Sequence, residues 1–430
     1  MSLERVREVA ARMGLARPAA RTIVVGGTNG KGSTVAFIEA IARAAGWRVG
    51  AYTSPHLLRY NERVRIDGIE VEDAALCAAF AEVEAARSRD GATVALTYFE
   101  FGTLAALWLF ERAAQGGAPL DLAVLEVGLG GRLDAVNIVD GDVAVITTVD
   151  LDHQDWLGDT IEAIGAEKAG IARAWTPLVV GDDDPPSSVL GRAYAIGASA
   201  LRIGCDFFFD PPGAQTGTDA HADAQADAAY SGTQAPRWHW RELGCTLDLP
   251  LPALAAPVQL RNAAVAIAAL RALPEALPES AFAQGVAAAR LPGRLQRFTR
   301  DGVEVLVDVG HNPQAARALA AALAAAPAAG RVHAVYAALA DKDAPATVAA
   351  LAGAVDVWHL AGLAEHAPRG QHVDAFAARL AGTAAADGLR HADVEAALST
   401  ALAEATPGDR LLVFGSFHTA ATALALFGRG

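Results

Sequence analysis

Short apolar runs alternate along this chain with longer stretches in which apolar residues recur at helical spacing. Residues 22–25 form a β-branched run, the pattern of a parallel strand buried on both faces. Residues 49–53, 121–127 and 143–149 repeat it. Helix-period segments lie between: residues 1–18, closed before Pro18, then VAFIEAIARAAG opened by Ser33 and Thr34, 71–87, 97–114, and TIEAIGAEKAGI. After Gly181 the rhythm breaks. Residues 182–186 are turn-rich, and 206–242 read as a hairpin with a loose tip of Ala, Asp, Gln and Gly. Helices follow near Gln259 and over 278–290. Beyond LPGRLQRF (291–298), which reads as a hinge, strands at 304–310, 332–339, 355–362 and 410–418 alternate with helices from Pro313, near 372–381 and near 391–404. The pattern predicts an α/β protein with two doubly wound units, the second one smaller.

Composition narrows the class. The chain has 430 residues, of which 53% are hydrophobic and 20% charged, so it builds large cores. A net charge of −14 argues against nucleic-acid or anionic-membrane partners, and an anionic substrate must be met by a local basic patch. Cys77, Cys205 and Cys245 show no paired metal spacing, which points to a reduced, cytoplasmic setting. The N-terminal helix has no secretory apolar core. The apolar run near 104–110 is too short to span a bilayer.

The chemistry concentrates at predicted strand ends. TIVVGGTNGKGST joins a strand, a glycine-rich turn at Asn29-Gly30 and a helix N-terminus, a cradle for polyphosphate with Lys31 supplying charge and Ser33 or Thr34 able to touch Mg²⁺. Gly32 separates Lys31 from Ser33, so the strict P-loop pattern is not met. The next polar loop, TSPHLLRYNERVRIDG, carries Arg59, Arg63 and Arg65. It reads equally as a solvated loop with a hairpin or as a substrate loop with Ser54 near a metal. Glu126 ends an apolar strand where a Walker-B type carboxylate would hold Mg²⁺. Asp150, Asp152, His153 and Asp155 share that edge. Lys168, beside Gly170, reads on these residues alone as a complement to a helix C-terminus. In the second unit Asp308, His311, Asn312, Asp341, Lys342, Ser416 and His418 fall at strand ends, and Arg294 sits on the hinge. Two domains closing around ATP, a carboxylate and an amine suit a ligase that forms an acyl phosphate.

In order along the chain, GTNGKGST, TSPHLLRYNERV, LEVGLGGRLDAVN, DHQDWLG…EKAGI, LPGR, DVGHNP and GSF resemble the folylpolyglutamate synthases of the Mur ligase superfamily, nearest the bacterial branch that is also a dihydrofolate synthase. The resemblance runs over about residues 2–420. It implies a Mur-ligase-like fold: a P-loop ATPase domain at 1–292 with a small β region at about 182–255, a hinge at 293–298, and a Rossmann-like domain at 299–430. It implies ATP-dependent addition of L-glutamate to dihydropteroate and to reduced folates by a cytoplasmic monomer with small-molecule partners only. Asn29, Gly30, Lys31, Gly32 and Ser33 match the family's phosphate loop, and Asn262, Arg294 and Asp308 its other nucleotide contacts. Ser54, Glu126 and His153 match Mg²⁺ ligands. Lys168 matches a carbamylated lysine serving a second Mg²⁺, which reverses the reading from the residues alone. His311 and Ser416 match the region for incoming glutamate. Leu3 and Glu4, Thr97, Tyr98, Phe99 and Glu100, and Leu133, Asp134 and Ala135 match the pterin region. Lys31, His153, Lys168 and His311 are thereby the catalytic candidates. Residues 211–236 have no counterpart and read as a loop insertion. The rivals are a monofunctional folylpolyglutamate synthase, a cell-wall Mur ligase, and a P-loop switch. The Mur ligase lacks support because no UDP-binding domain precedes the loop at residue 27.

Overall fold

The apolar runs of the N-terminal half assemble into one sheet. In the computed structural model, which describes residues 2–91, 93–113, 118–213, 235–364 and 369–428, its strands are β1 (Arg21–Gly26), β2 (Val49–Tyr52), β3 (Val64–Ile66), β4 (Ile69–Glu70), β5 (Leu122–Glu126), β6 (Val143–Ile146), β7 (Pro177–Val180) and β8 (Ser199–Arg202). The order is β4-β3-β2-β5-β1-β6-β7-β8. The β2–β3 and β3–β4 pairs are antiparallel and the other pairs parallel. Val25 is in register with Glu126 and with Val145, so the carboxyl ends of β1, β5 and β6 align.

Helices cover both faces. They are α1 (Glu4–Met13), α2 (Lys31–Ala44), α3 (Asp73–Arg87), α4 (Tyr98–Ala113), α5 (Gln154–Leu157), α6 (Ile161–Ala169), α7 (Ser187–Ile196), α8 (Val258–Arg271) and α9 (Glu279–Ala288). Phe37, Ile38 and Ile41 of α2 pack with Ile23, Val25 and α8 on one face. Val6 and Val9 of α1, Leu104 and Phe110 of α4 and Ile164 of α6 pack with Val24 and Leu125 on the other. Each such side chain contributes about 1.5–3 kcal/mol on burial.

Several bounds differ from expectation. α1 stops at Gly14, which turns left-handed at φ 70°, well before Pro18. α2 starts at Lys31, ahead of Ser33 and Thr34, so the lysine belongs to its first turn. β6 ends at Ile146 because Thr147 and Thr148 turn to the phosphate loop: Thr147 Oγ1 donates to the Asn29 carbonyl (2.6 Å) and the Thr28 amide to the Thr148 carbonyl (2.8 Å). Residues 187–202 supply α7 and β8 to the main layers, so the small β region is narrower than 182–255. It consists of β9 (Phe207–Asp210), β10 (Arg237–Glu242) and β11 (Cys245–Pro250), all antiparallel. Trp238 and Trp240 of β10 are fully buried, and Trp240 Nε1 donates to the Ala264 carbonyl of α8. Most of the expected insertion, residues 214–234, lies outside the described residues.

The C-terminal sheet is built from β12 (Gln296–Arg300), β13 (Val303–Val307), β14 (Val332–Tyr336), β15 (Val357–Ala361), β16 (Leu389–His391) and β17 (Arg410–Phe414), in the order β12-β13-β17-β14-β15-β16. Here α10 (Pro313–Ala325), α11 (Ala344–Leu351) and α12 (Val373–Arg379) cover one face, and α13 (Val394–Glu404) and α14 (Phe417–Phe427) the other. Only β12 is antiparallel, and it takes up the end of the segment expected to flex. Two α/β units thus follow one another along the chain, with the small antiparallel β region in the first of them.

Candidate active site

Since β1 lies between β5 and β6, three aligned strands end side by side, and their loops form one wall. Gly27 (φ 144°) and Gly30 (φ 86°) shape the loop after β1. A Cβ on Gly27 would lie 1.9 Å from Thr147 Oγ1, and one on Gly30 2.6 Å from Asn262 Oδ1, so both must be glycine. Gly30 then caps α2 with no side-chain acceptor for the first amides. The first turn, Lys31 to Ser33, lines a cleft of about 430 Å³ as a donor set for an anion. Lys31 Nζ donates to the Gly27 and Thr28 carbonyls, both at 3.1 Å. Burial pushes its ammonium down, with Glu126 opposing.

Glu126 is 4% exposed, and its Oε2 accepts from the Ser54 amide at 3.0 Å. Burial pushes its carboxyl up against the pull of Lys31. A carboxylate so placed is a seat for a cation. His153 precedes α5 at φ 53°, and burial lowers its imidazole to about 4, leaving a neutral ring able to ligate. Buried on α6, Lys168 is lowered to about 7 by that burial and then by Lys31. Among the described residues, the trio of His, Cys, Asp or Glu whose ligand atoms lie within 4.8 Å of one another is elsewhere, at His333, His359 and Glu404.

The C-terminal domain supplies the facing wall. The Arg294 guanidinium lies 5.6 Å above the Phe417 ring, and burial pushes it down while Asp308 and Glu126 oppose. Asp308 accepts from the Leu295 and Gly310 amides at 2.8 and 2.6 Å. Burial raises its carboxyl against Arg294. His311 Nδ1 is 3.0 Å from the Val309 carbonyl, which fixes the proton there and leaves Nε2, 3.6 Å from Asp152 Oδ2. All the predicted nucleotide and metal residues, from Asn29 to Asp308, line this one cleft, and so does His311.

Several groups join them, some of which the sequence placed at strand ends without assigning a role. Asp152 Oδ1 accepts from Lys342 Nζ at 2.7 Å, and Asp152 Oδ2 from Asn312 Nδ2 at 3.3 Å. Burial works against its charge, but the His311 bond and the Lys342 ammonium win and hold its carboxyl well below the usual range. Asn29 and Asn312 exchange amide bonds at 3.1 Å, Gln314 takes a bond from Thr148 at 3.2 Å, and Arg317 pairs with Asp150 at 2.9 Å. The phosphate loop is thus tied directly to the N-terminus of α10. DLDHQD and DVGHNPQ, each just past a strand, are the signals in the sequence.

The predicted pterin residues form a separate group where α1, α4 and the turn at 135–138 meet. Buried Leu3 caps α1, and Glu4 is exposed. Arg5 Nε pairs with Glu100 Oε1 at 2.9 Å, while Glu100 Oε2 accepts from the Thr97 amide and hydroxyl at 2.7 and 2.9 Å. Tyr98 is exposed and edge-on to Tyr60. Phe99 packs on Tyr52 and against Gly128. Asp134 takes amides of Leu129 and Val136 at 2.9 and 3.0 Å, with Leu133 half-buried and Ala135 buried beside it. Gly128, Leu129 and Gly130, which line the cleft, join this group to it. Ser416 does not line the cleft. Its hydroxyl caps α14 through the Thr419 amide at 3.0 Å, and Phe417 takes the wall position. Of the three loop arginines, Arg59 pairs with Asp73 and Arg65 with Glu39, while Arg63 is buried over the Tyr60 and Tyr98 rings.

A phosphate loop, a buried strand-end carboxylate and a second Rossmann-like lobe closing on them define the Mur class of ATP-dependent amide ligases. Residues 293–417 match the model of the Mur ligase, glutamate ligase domain. The chain is 44% identical to the dihydrofolate synthase/folylpolyglutamate synthase of Escherichia coli (strain K12), over 98% of this chain and 90% of that protein. It superposes on E. coli FolC in complex with DHPP and ADP with a TM-score of 0.86 at 43% identity, covering 99% of this chain and 93% of that one. It also superposes on Mycobacterium tuberculosis folylpolyglutamate synthase complexed with ADP with a TM-score of 0.85 at 30% identity, covering 100% and 95%. The chain belongs to the dihydrofolate synthase/folylpolyglutamate synthase family. Among the described residues no helix is long and apolar enough to cross a membrane.

Proposed function

We propose that this chain is an ATP-dependent ligase that couples L-glutamate to dihydropteroate, and to reduced folates, through an acyl phosphate. The observation that carries the reading is the shared cleft, in which Asn29 and Asp152 of the phosphate-binding wall bond to Asn312 and Lys342 of the other lobe. A hydrolase needs no second lobe bonded to its phosphate loop, and a ligase must enclose its activated acyl group.

The reaction follows from where the groups stand. The amides of Lys31 to Ser33 and the Lys31 ammonium hold the β- and γ-phosphates of ATP. A carboxylate oxygen of the pterin substrate attacks the γ-phosphorus, and ADP leaves. The glutamate amine then attacks the acyl carbon, the bond to the phosphate oxygen breaks, and phosphate departs with that electron pair. His311, with Nδ1 on the Val309 carbonyl and Nε2 3.6 Å from Asp152 Oδ2, forms with that carboxylate the pair that receives the amine proton. Ser54, Glu126 and His153 would hold Mg²⁺, which supplies charge neutralisation on the transferred phosphoryl group. A structure of bifunctional folylpolyglutamate synthase/dihydrofolate synthase 44% identical to this chain has Mn, AMPPNP and L-glutamate bound, which supports a divalent ion and a nucleotide here.

Lys168 fits carbamylation. An amine lowered to about 7 is partly neutral and nucleophilic, and the carbamate would turn a buried cation into a carboxylate-like ligand for a second Mg²⁺. In this reading the working unit is a monomer in the cytoplasm, with residues 293–295 flexing between a nucleotide and pterin unit at 1–292 and a glutamate unit at 299–430.

The test is glutamate incorporation measured in parallel with dihydropteroate and with tetrahydrofolate. Incorporation into both supports the bifunctional reading. Incorporation into tetrahydrofolate alone favours the monofunctional one, which the likeness to M. tuberculosis folylpolyglutamate synthase motivates. Incorporation into neither refutes the assignment.

A further inference from the structure

The C-terminal sheet carries a cluster that ligation does not use. His333, His359 and His391 lie on the adjacent strands β14, β15 and β16. His359 is in register with Val335 and Leu389, so each histidine sits two residues further along than the last and all three keep to one face. They form a diagonal under α13, whose last residue is Glu404. His333 and His359 are 1% and 0% exposed. Nitrogens of neighbouring rings approach to 3.4 Å (His333 Nδ1 to His359 Nε2) and 3.3 Å (His359 Nδ1 to His391 Nε2). His359 Nε2 is 3.8 Å from Glu404 Oε2. One ligand atom from each of His333, His359 and Glu404 lies within 4.8 Å of the other two.

These are core positions. Val335, Ala397, Leu398 and Ala401 belong to the apolar core on this face of the sheet, a setting in which polar rings are disfavoured unless they are partnered. His333 turns Nδ1 toward His359 and Glu404 and leaves Nε2 facing Asp409 Oδ2 at 3.8 Å. Tetrahedral zinc with bonds of about 2.0–2.1 Å has ligand–ligand edges of about 3.3–3.4 Å; the His333–His359 pair already stands at 3.4 Å, and Glu404, 3.8 Å from His359, would move inward to close the set. The rings must be neutral to ligate, and burial lowers all three. Asp409 behind His333 and His391 behind His359 occupy the places of orienting outer partners. The Glu404 side chain is 44% exposed, which gives an ion its entry and leaves a position for water. The nitrogen-rich donor set suits zinc over Mg²⁺ or Ca²⁺.

We propose that His333, His359 and Glu404 bind one zinc ion, which ties β14 and β15 to the C-terminal end of α13. His333 is near the amino end of β14, whereas the ligase cleft lies beyond the carboxyl ends of the strands, so this ion is separate from the nucleotide's metal.

The test uses full-length protein stripped with chelator and returned to buffer with excess Mg²⁺ and no nucleotide. Zinc is titrated by calorimetry, and cobalt is added separately to read the visible absorption of a four-coordinate nitrogen-ligated ion. Wild type should bind one zinc that Glu404→Gln binds at least on the order of tenfold more weakly. Zinc should raise the melting temperature of wild type but not of Glu404→Gln, and the variant should lose the cobalt band. Glu404 is partly exposed, so this variant folds even where His359→Asn does not. Equal zinc affinity and equal cobalt spectra in wild type and Glu404→Gln would overturn the proposal, as would no zinc bound by wild type.

Discussion

In the cleft, Lys31, Glu126 and Arg294 are buried charges whose neighbours only partly offset the loss of water. On the flank built by α1, α4 and the turn at 135–138, Glu100 and Asp134 are instead hydrogen-bonded to Arg5, Thr97 and backbone amides, although burial still outweighs those bonds at Asp134. The first region is charged and waiting for a charged ligand; the second has spent most of its polar groups on its own shape. Substitutions in the cleft should therefore cost activity more than stability, and substitutions on the flank should do the reverse.

The largest effect belongs to Lys31→Ala. Among the described residues its ammonium donates to carbonyls of its own loop, so turnover should fall on the order of 10³-fold while the melting temperature hardly moves. Steady-state kinetics beside a thermal melt checks this, and retained turnover would break the contrast. Asp152→Asn comes next. It leaves the nearly buried Lys342 ammonium without its carboxylate and loosens the two lobes. The expected loss in kcat/KM is about 10²-fold, with a larger radius of gyration by X-ray scattering.

Asp134→Asn sharpens the flank side. Burial raises the Asp134 carboxyl from 3.8 to about 6 despite its amide bonds. Between those values the native state holds the proton more often than the unfolded chain, so wild-type stability falls as pH rises through this window and levels above it. Relative to wild type, Asp134→Asn should gain about 2–3 kcal/mol between the acid and neutral ends, on top of a constant loss of one amide bond. Denaturant melts at several pH values read this directly, and a flat difference would contradict it. The smallest effect is Arg5→Ala. Its ion pair with Glu100 is partly exposed, so about 0.5–1 kcal/mol of stability should go, with a few-fold rise in KM for the pterin substrate.

What could be read in advance follows the same division. The phosphate loop was legible because its glycines and Lys31 are contiguous and obey local backbone rules. Glu126 and His153 were legible as polar residues just past apolar strands. β7, β8 and α7 were not, because PLVV and SALR are brief runs in turn-rich surroundings. The Asp152–Lys342 pair was not, because it joins residues 190 apart through two folded sheets. Ser416 looked like a ligand group from its place after a strand, yet the amides of α14 claimed its hydroxyl. The histidine diagonal depends on the register of three strands, which no local pattern encodes.

The account rests on ATP activating a pterin-linked carboxyl group inside the cleft. The most direct measurement places a heavy oxygen isotope in the carboxyl of dihydropteroate and follows it through one turnover with ATP and glutamate. The account predicts that released phosphate carries one labelled oxygen; phosphate released without label, alongside normal amide product, would contradict it.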